Sequence, residues 1–144
     1  MNTCLLPSLT YGSQTWKFST EAMNKINTRQ RGLERSMLNI KKIDKIRHTK
    51  IRGIPKATNA LTFTQKRKWQ WAGHVARMTD KRWTTRVTQW KGPPGKRRRG
   101  RPLARWEEDL KILAGSDWYS IAQDRQNWAS LEEAFTQTGI LVDQ

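Results

Sequence analysis

The sequence predicts a mainly α-helical protein of four principal helices, with a basic Pro/Gly-rich linker and a C-terminal helical hairpin. Three observations carry this. Apolar residues recur in several windows at steps of three and four, the spacing that gathers them on one face of a helix. Gly and Pro concentrate at a few points, chiefly Gly53-Ile54-Pro55 and Gly92-Pro93-Pro94-Gly95, which punctuate the chain into elements. Eight tryptophans stand in 144 residues that are only 35% hydrophobic. Each indole buries a large apolar area, so a thin core is still within reach.

Met1–Trp16 is uncharged and carries Leu5, Leu6, Leu9, Tyr11 and Trp16. A segment this apolar is expected to pack, and it reads as the tail of an element that starts further upstream. It is broken by Pro7 and Gly12 and has neither the basic start of a signal peptide nor the length of a membrane span. Ser19-Thr20-Glu21 offers a hydroxyl cap and an early acid, a good helix start. Met23, Ile26, Leu33 and Met37 follow at helical spacing, with Gln30 as the one polar step, and the helix is expected to end near Asn39. A basic stretch, Lys41–Arg52, leads to the turn at Gly53-Ile54-Pro55.

A second helix is expected from about Thr58 to Met78. Leu61, Ala72, Val75 and Met78 suit its buried side, with Trp71 near them, while Lys66, Gln70, Gly73 and Arg77 lie on another side. Lys91–Arg101 is the clearest linker, since its composition cannot form a packed core. Pro102 suits the first turn of a third helix, with Leu103, Trp106, Leu110 and Leu113 as its stripe and Gly115 as its stop. Trp118, Ile121, Trp128, Leu131 and Phe135 form the stripe of a fourth helical stretch after Asp117. The last two helices would pair antiparallel, acidic outside and aromatic inside. Three regions result: 1–90, helical; 91–102, a basic flexible linker; and 103–144, an acidic C-terminal hairpin.

Charge narrows the function. The net charge is +16, and it is unevenly spread. Residues 66–105 hold 14 basic residues against the single acid Asp80, whereas 106–144 hold only Lys111 and Arg125 against eight acids. A concentrated cationic block raises the local potential and attracts polyanions, so RNA, DNA or their hybrid is the expected partner, ahead of any membrane surface. The lone Cys4 permits no internal disulfide, which points to an intracellular protein.

Catalytic and metal chemistry find little purchase. One cysteine and two separated histidines, His48 and His74, cannot build a zinc finger or knuckle. No nucleophile–base motif is present, and His74 reads as a helix packing residue. Gly92–Lys96 lacks the four-residue gap of a phosphate-binding loop, and Arg97 stands where a magnesium-binding hydroxyl belongs. No cofactor is expected.

The binding candidates are cationic. Lys66, Arg67, Lys68, Arg77, Lys81 and Arg82 precede the linker, and Lys96, Arg97, Arg98, Arg99 and Arg101 lie within it. Trp69, Trp71, Trp83 and Trp90 are interleaved with the first group. Aromatic faces next to cations suit single strands, where stacking contributes ~1–3 kcal/mol per base. Trp71, Trp106 and Trp128 are expected to pack the core, whereas Trp83 and Trp90 lie outside the expected helices and are the stacking candidates. Arg99-Gly100-Arg101-Pro102 also has the form of an AT-hook core, whose arginines enter narrow A·T-rich minor grooves.

Several segments together resemble a known family. Tyr11-Gly12-Ser13-Gln14-Thr15-Trp16 resembles the YGSETW signature that follows the palm of non-LTR (LINE-type) retrotransposon reverse transcriptases. Lys68–Met78 is similar to their RWxGHVxRM segment, Gly95–Trp106 to GKRxRGRPxxxW, and Ala122–Trp128 to AxDRxxW. Order and spacing agree over essentially the whole chain, with Gln14 in place of the usual glutamate. The resemblance implies the C-terminal part of an endonuclease–reverse transcriptase: the thumb, matching 1–90, and the tail after it. The thumb of such enzymes is helical and grips the template–primer behind the polymerase site.

The polymerase aspartates of that family lie in the fingers and palm, and no Tyr-x-Asp-Asp occurs in this chain. Phosphoryl transfer needs clustered carboxylates to hold two metal ions. The expectation is therefore a nucleic-acid-binding segment that is not an enzyme on its own, intracellular and nuclear, working with upstream reverse-transcriptase domains. The rival expectations are a protein-interaction module built on the acidic hairpin and a functionless transposon remnant.

Overall fold

The computed structural model describes residues 2–52, 58–80, 82–90, 92, 100 and 105–138. The described residues are mainly α-helical, without strands. The opening segment forms α1, Leu5–Leu9, and a 3-10 turn, Ser13–Thr15. Gly12, at φ 69°, makes the bend between them in a left-handed conformation that a Cβ disfavours. Leu6, Thr10 and Ser13 are all buried, so this apolar segment packs as its composition requires.

The next helix, α2, spans Thr20–Met37. Ser19 caps it, its hydroxyl accepting from the Ala22 N–H at 3.2 Å. At the other end Asn39 adopts φ 53°, the Asn39 N–H reaches the Ser36 carbonyl, and the Ile40 N–H reaches the Arg35 carbonyl. That paired closure is the Schellman stop, which Asn tolerates next best after Gly. Helix α3, His48–Arg52, turns the chain back along α2.

Ala60–Ala76 forms α4, which crosses the molecule and touches nearly everything else. Asn59 caps it by accepting from the Leu61 N–H at 2.9 Å. Its start is also gripped by α2. The Gln30 amide donates to Glu34 and to the Thr58 carbonyl, and its oxygen accepts from the Ala60 N–H at 2.7 Å. The one polar step in the α2 stripe is thus the point where two helices are tied. Glu34, fully buried, also meets His48 Nε2 at 2.7 Å and joins α3 to the same knot.

A short helix α5, Trp83–Gln89, follows, and the later chain forms α6, Glu108–Ala114, α7, Trp118–Ile121, α8, Arg125–Ser130, and α9, Glu132–Thr138. Gly115 ends α6 at φ 77°, as its place in the sequence suggests. The fourth expected helix is instead three short ones. Asp124, extended and accepting from the Gln126 and Asn127 N–H groups, restarts the helix as a cap. Such a break lets Trp118, Trp128 and Phe135 converge on one core, which a straight helix could not do.

That core is not private to the C-terminal segment. Trp69, Ala72 and Ala76 of α4 pack with Leu110, Ala114, Trp118, Ala122, Trp128 and Phe135. Trp69 and Trp128 stack with centroids 3.8 Å apart and planes 6° from parallel. Each indole N–H donates to the other residue's carbonyl, at 2.9 and 3.0 Å. Leu6, Ile26, Ala60 and Leu61 form a second cluster on the N-terminal side.

Candidate nucleic-acid interface

The side of α4 marked by Lys66, Gln70, Gly73 and Arg77 is a docking face for the C-terminal helices. Lys66 pairs with Glu132 at 2.8 Å, and the Gln70 amide donates to the same carboxylate at 3.0 Å. Gly73 lies under Trp128, and Arg77 Nη1 donates to the Ala122 carbonyl at 2.6 Å. Burial and the nearby charge of Arg125 lower the Arg77 pKa. Lys66 keeps about half its side chain in solvent, while Arg77 is largely committed to packing.

Lys68 corrects the expectation of a phosphate contact. Its side chain is 0% exposed and its ammonium meets Asp109 at 2.5 Å. Phe18 and Trp106 flank the cation with ring centroids at 5.3 and 5.0 Å. Burial lowers the Lys68 pKa and raises that of Asp109, with their mutual attraction opposing both shifts. A cation walled in this way holds the molecule together. Lysine in a basic run is normally solvated, so charge pattern alone could not single it out.

The other candidates sort by exposure. Arg67 is partly buried over the Phe63 ring at 5.8 Å. Arg82 is exposed and paired with Asp80, and Arg86 is exposed with its guanidinium 5.5 Å from the Trp83 ring. Lys81, Lys96, Arg97, Arg98, Arg99 and Arg101 lie outside the described residues, as does most of the AT-hook-like segment.

Among the tryptophans, Trp83 is 77% and Trp90 63% exposed, so both present free indole surface. Trp69 takes the core position expected of Trp71. Trp71 itself is only partly buried and lines an open cleft of about 460 Å³ with Trp90, Trp106 and Arg105. His74 is exposed beside Trp71, with rings 5.5 Å apart, and is not a packing residue.

A second cationic surface was legible but undervalued. Arg29 and Arg31 on α2, and Lys41, Lys42, Lys45, Arg47 and Lys50 after it, are all exposed. Only Asp44 offers an exposed acid among them. The signal was present in the run from Lys41 to Arg52, and it is overshadowed in sequence by the denser block after residue 66.

Among the described residues no group of three or more His, Cys, Asp or Glu is placed to hold a metal. No helix among them is long and apolar enough to cross a membrane. No known protein family matches the chain. No solved structure matches it. It is 35% identical over 140 residues to a putative uncharacterized transposon-derived protein of Caenorhabditis elegans, an alignment covering 88% of this chain. The chain spans about half the length of that relative.

Proposed function

We propose that this chain is the nucleic-acid-binding part of a transposon-derived protein of the LINE reverse-transcriptase type, gripping template–primer through phosphate contacts without performing chemistry itself. The carrying observation is the charge map: 14 cations against one acid between residues 66 and 105. The transposon-derived relative supports the origin, and the YGSQTW and GHVARM segments support the thumb reading.

The acidic C-terminal segment favours this reading over a partner-docking hairpin. Asp109 and Glu132 are turned inward onto Lys68 and Lys66, so part of that acidity holds the fold. Arg82, paired with Asp80, and Arg86, over the Trp83 ring, both stay exposed, and the exposed indoles of Trp83 and Trp90 add aromatic surface for a strand. The protein would act inside the nucleus, next to upstream polymerase domains.

Binding that neutralises about six phosphates has a log–log salt slope of roughly −4 to −5. Titrating the full chain against duplex, hybrid and single strand between low and physiological salt measures that slope. An affinity that stays flat with salt would overturn the reading. So would magnesium-dependent primer extension by the chain alone, which would require an active site.

A further inference from the structure

The open cleft beside α5 has the composition of a base-binding slot. Its walls include the indoles of Trp71, Trp90 and Trp106, and Thr84, Thr88, Arg105 and Glu107 also line it. A volume of about 460 Å³ falls within the usual range of ligand pockets, roughly 300–1,000 Å³. Trp106 is fixed in place, because its N–H donates to the Gln14 carbonyl at 2.8 Å. Trp90 is 63% exposed and not wedged into a core. Three aromatic walls, one rigid and one accessible, are what flat π-faced ligands need.

Arg86 and Arg105 indicate the charge of the occupant. Gly92 and Arg105 lie together at its margin, so close that a Cβ on Gly92 would stand 3.4 Å from Arg105 Nη2. The sequence that leaves at one and returns at the other contains Lys96, Arg97, Arg98, Arg99 and Arg101 and no acid. The exposed Arg86 lies on α5, the helix that lends Thr84, Val87 and Thr88 to the wall. The Glu107 carboxylate is already engaged by Lys111 and the Trp118 N–H, so aromatic walls accompanied by Arg86 and Arg105 match a base joined to a phosphodiester backbone.

We infer that the cleft lined by Trp71, Trp90 and Trp106 receives an unpaired base of a bound single strand. The inference rests on the nucleic-acid reading above and adds a place where the strand is held by its base as well as its phosphates.

The test compares the full chain's affinity for a short single-stranded oligonucleotide and for the same backbone made of abasic sugars. Base-bearing strand is expected to bind about five- to 150-fold tighter, the range a stacked base supplies. Trp90→Ala should bring that ratio to within about twofold of one, and Trp90→Phe should restore most of it. Trp71→Ala should act like Trp90→Ala, and Ile112→Ala, an exposed apolar residue outside the cleft, should leave the ratio in place. Circular dichroism of each variant confirms that it is folded. Equal affinity for both strands with a steep salt dependence overturns the slot while leaving the phosphate grip standing. A ratio that survives Trp90→Ala overturns it equally. Failure of both strands to bind overturns both readings.

Discussion

At the scale of single residues, Lys68 shows how little a charge pattern says about a particular cation. Arg67 and Lys66 stand one and two positions before it on the same helix, yet only Lys68 points between Phe18, Trp106 and Asp109. Removing one partner of a buried pair costs about 3–5 kcal/mol, because the other charge is stranded. We therefore expect Asp109→Asn to lower stability by about 3 kcal/mol near neutral pH in a urea melt. The cost should shrink as the pH rises. Burial lowers the Lys68 pKa and Asp109 partly restores it, so without Asp109 the folded state sheds that proton earlier still, relative to the unfolded chain, than the wild type does. The unfolded state then binds more protons, and stability rises with pH. An Asp109→Asn deficit that stayed constant from about pH 7 to about pH 9.5 would show that Lys68 is solvated.

At the scale of elements, α4 is defined by how closely others approach it. A Cβ on Gly73 would sit 2.6 Å from Nε1 and 2.7 Å from Cδ1 of Trp128. That ring cannot step aside, since it is stacked on Trp69 and hydrogen-bonded to the Trp69 carbonyl. Overpacking of this kind costs roughly 1–3 kcal/mol, against a gain of up to about 1 kcal/mol from better helix propensity. Gly73→Ala should therefore destabilise the protein by about 1–2 kcal/mol. Gly32, in the middle of α2, has nothing within 4 Å of its would-be Cβ. There the same substitution should stabilise by a few tenths to about 1 kcal/mol. Thermal melts of the two variants check whether the signs are opposite.

Helix positions were largely legible at this scale. Ser19, Asn39 and Gly115 bound elements as their chemistry requires, because capping is local. The break at Asp124 was not legible, since the Trp118–Phe135 spacing still fits one helix and only tertiary convergence forces the restart. The close approach at Gly73 was half-legible: the sequence placed Lys66, Gln70, Gly73 and Arg77 on one side of α4. It could not say that the C-terminal helices occupy this side.

At the scale of the whole molecule, residues on both sides of the basic linker meet in one core. Trp69, Ala72 and Ala76 come from before it and six buried residues from after it. A chain ending at Arg105 would expose that face of α4 and leave Lys68 without Asp109. It would also lose eight acids but only two bases, which increases self-repulsion. We expect it to lose the cooperative thermal transition and to bind a hydrophobic dye that the full chain ignores. A cooperative melt of the truncated chain would mean that the second cluster, around Leu6, Ile26, Ala60 and Leu61, suffices for folding. The division of charge was plain in the sequence, whereas the joining of its two halves was not. Contacts between residues 59 apart, such as Trp69 with Trp128, leave no periodic trace.

The reciprocal Trp69–Trp128 bonds also have a meaning in time. A ribosome adds about 5–20 residues per second, so Trp69 emerges some seconds before the partner 59 positions later exists. Throughout that interval the growing chain has its cationic block and no acidic cover for α4. Its core closes only once Trp128 and Phe135 have emerged, and a polyanion present during that interval reaches the nascent protein before its own tryptophan does.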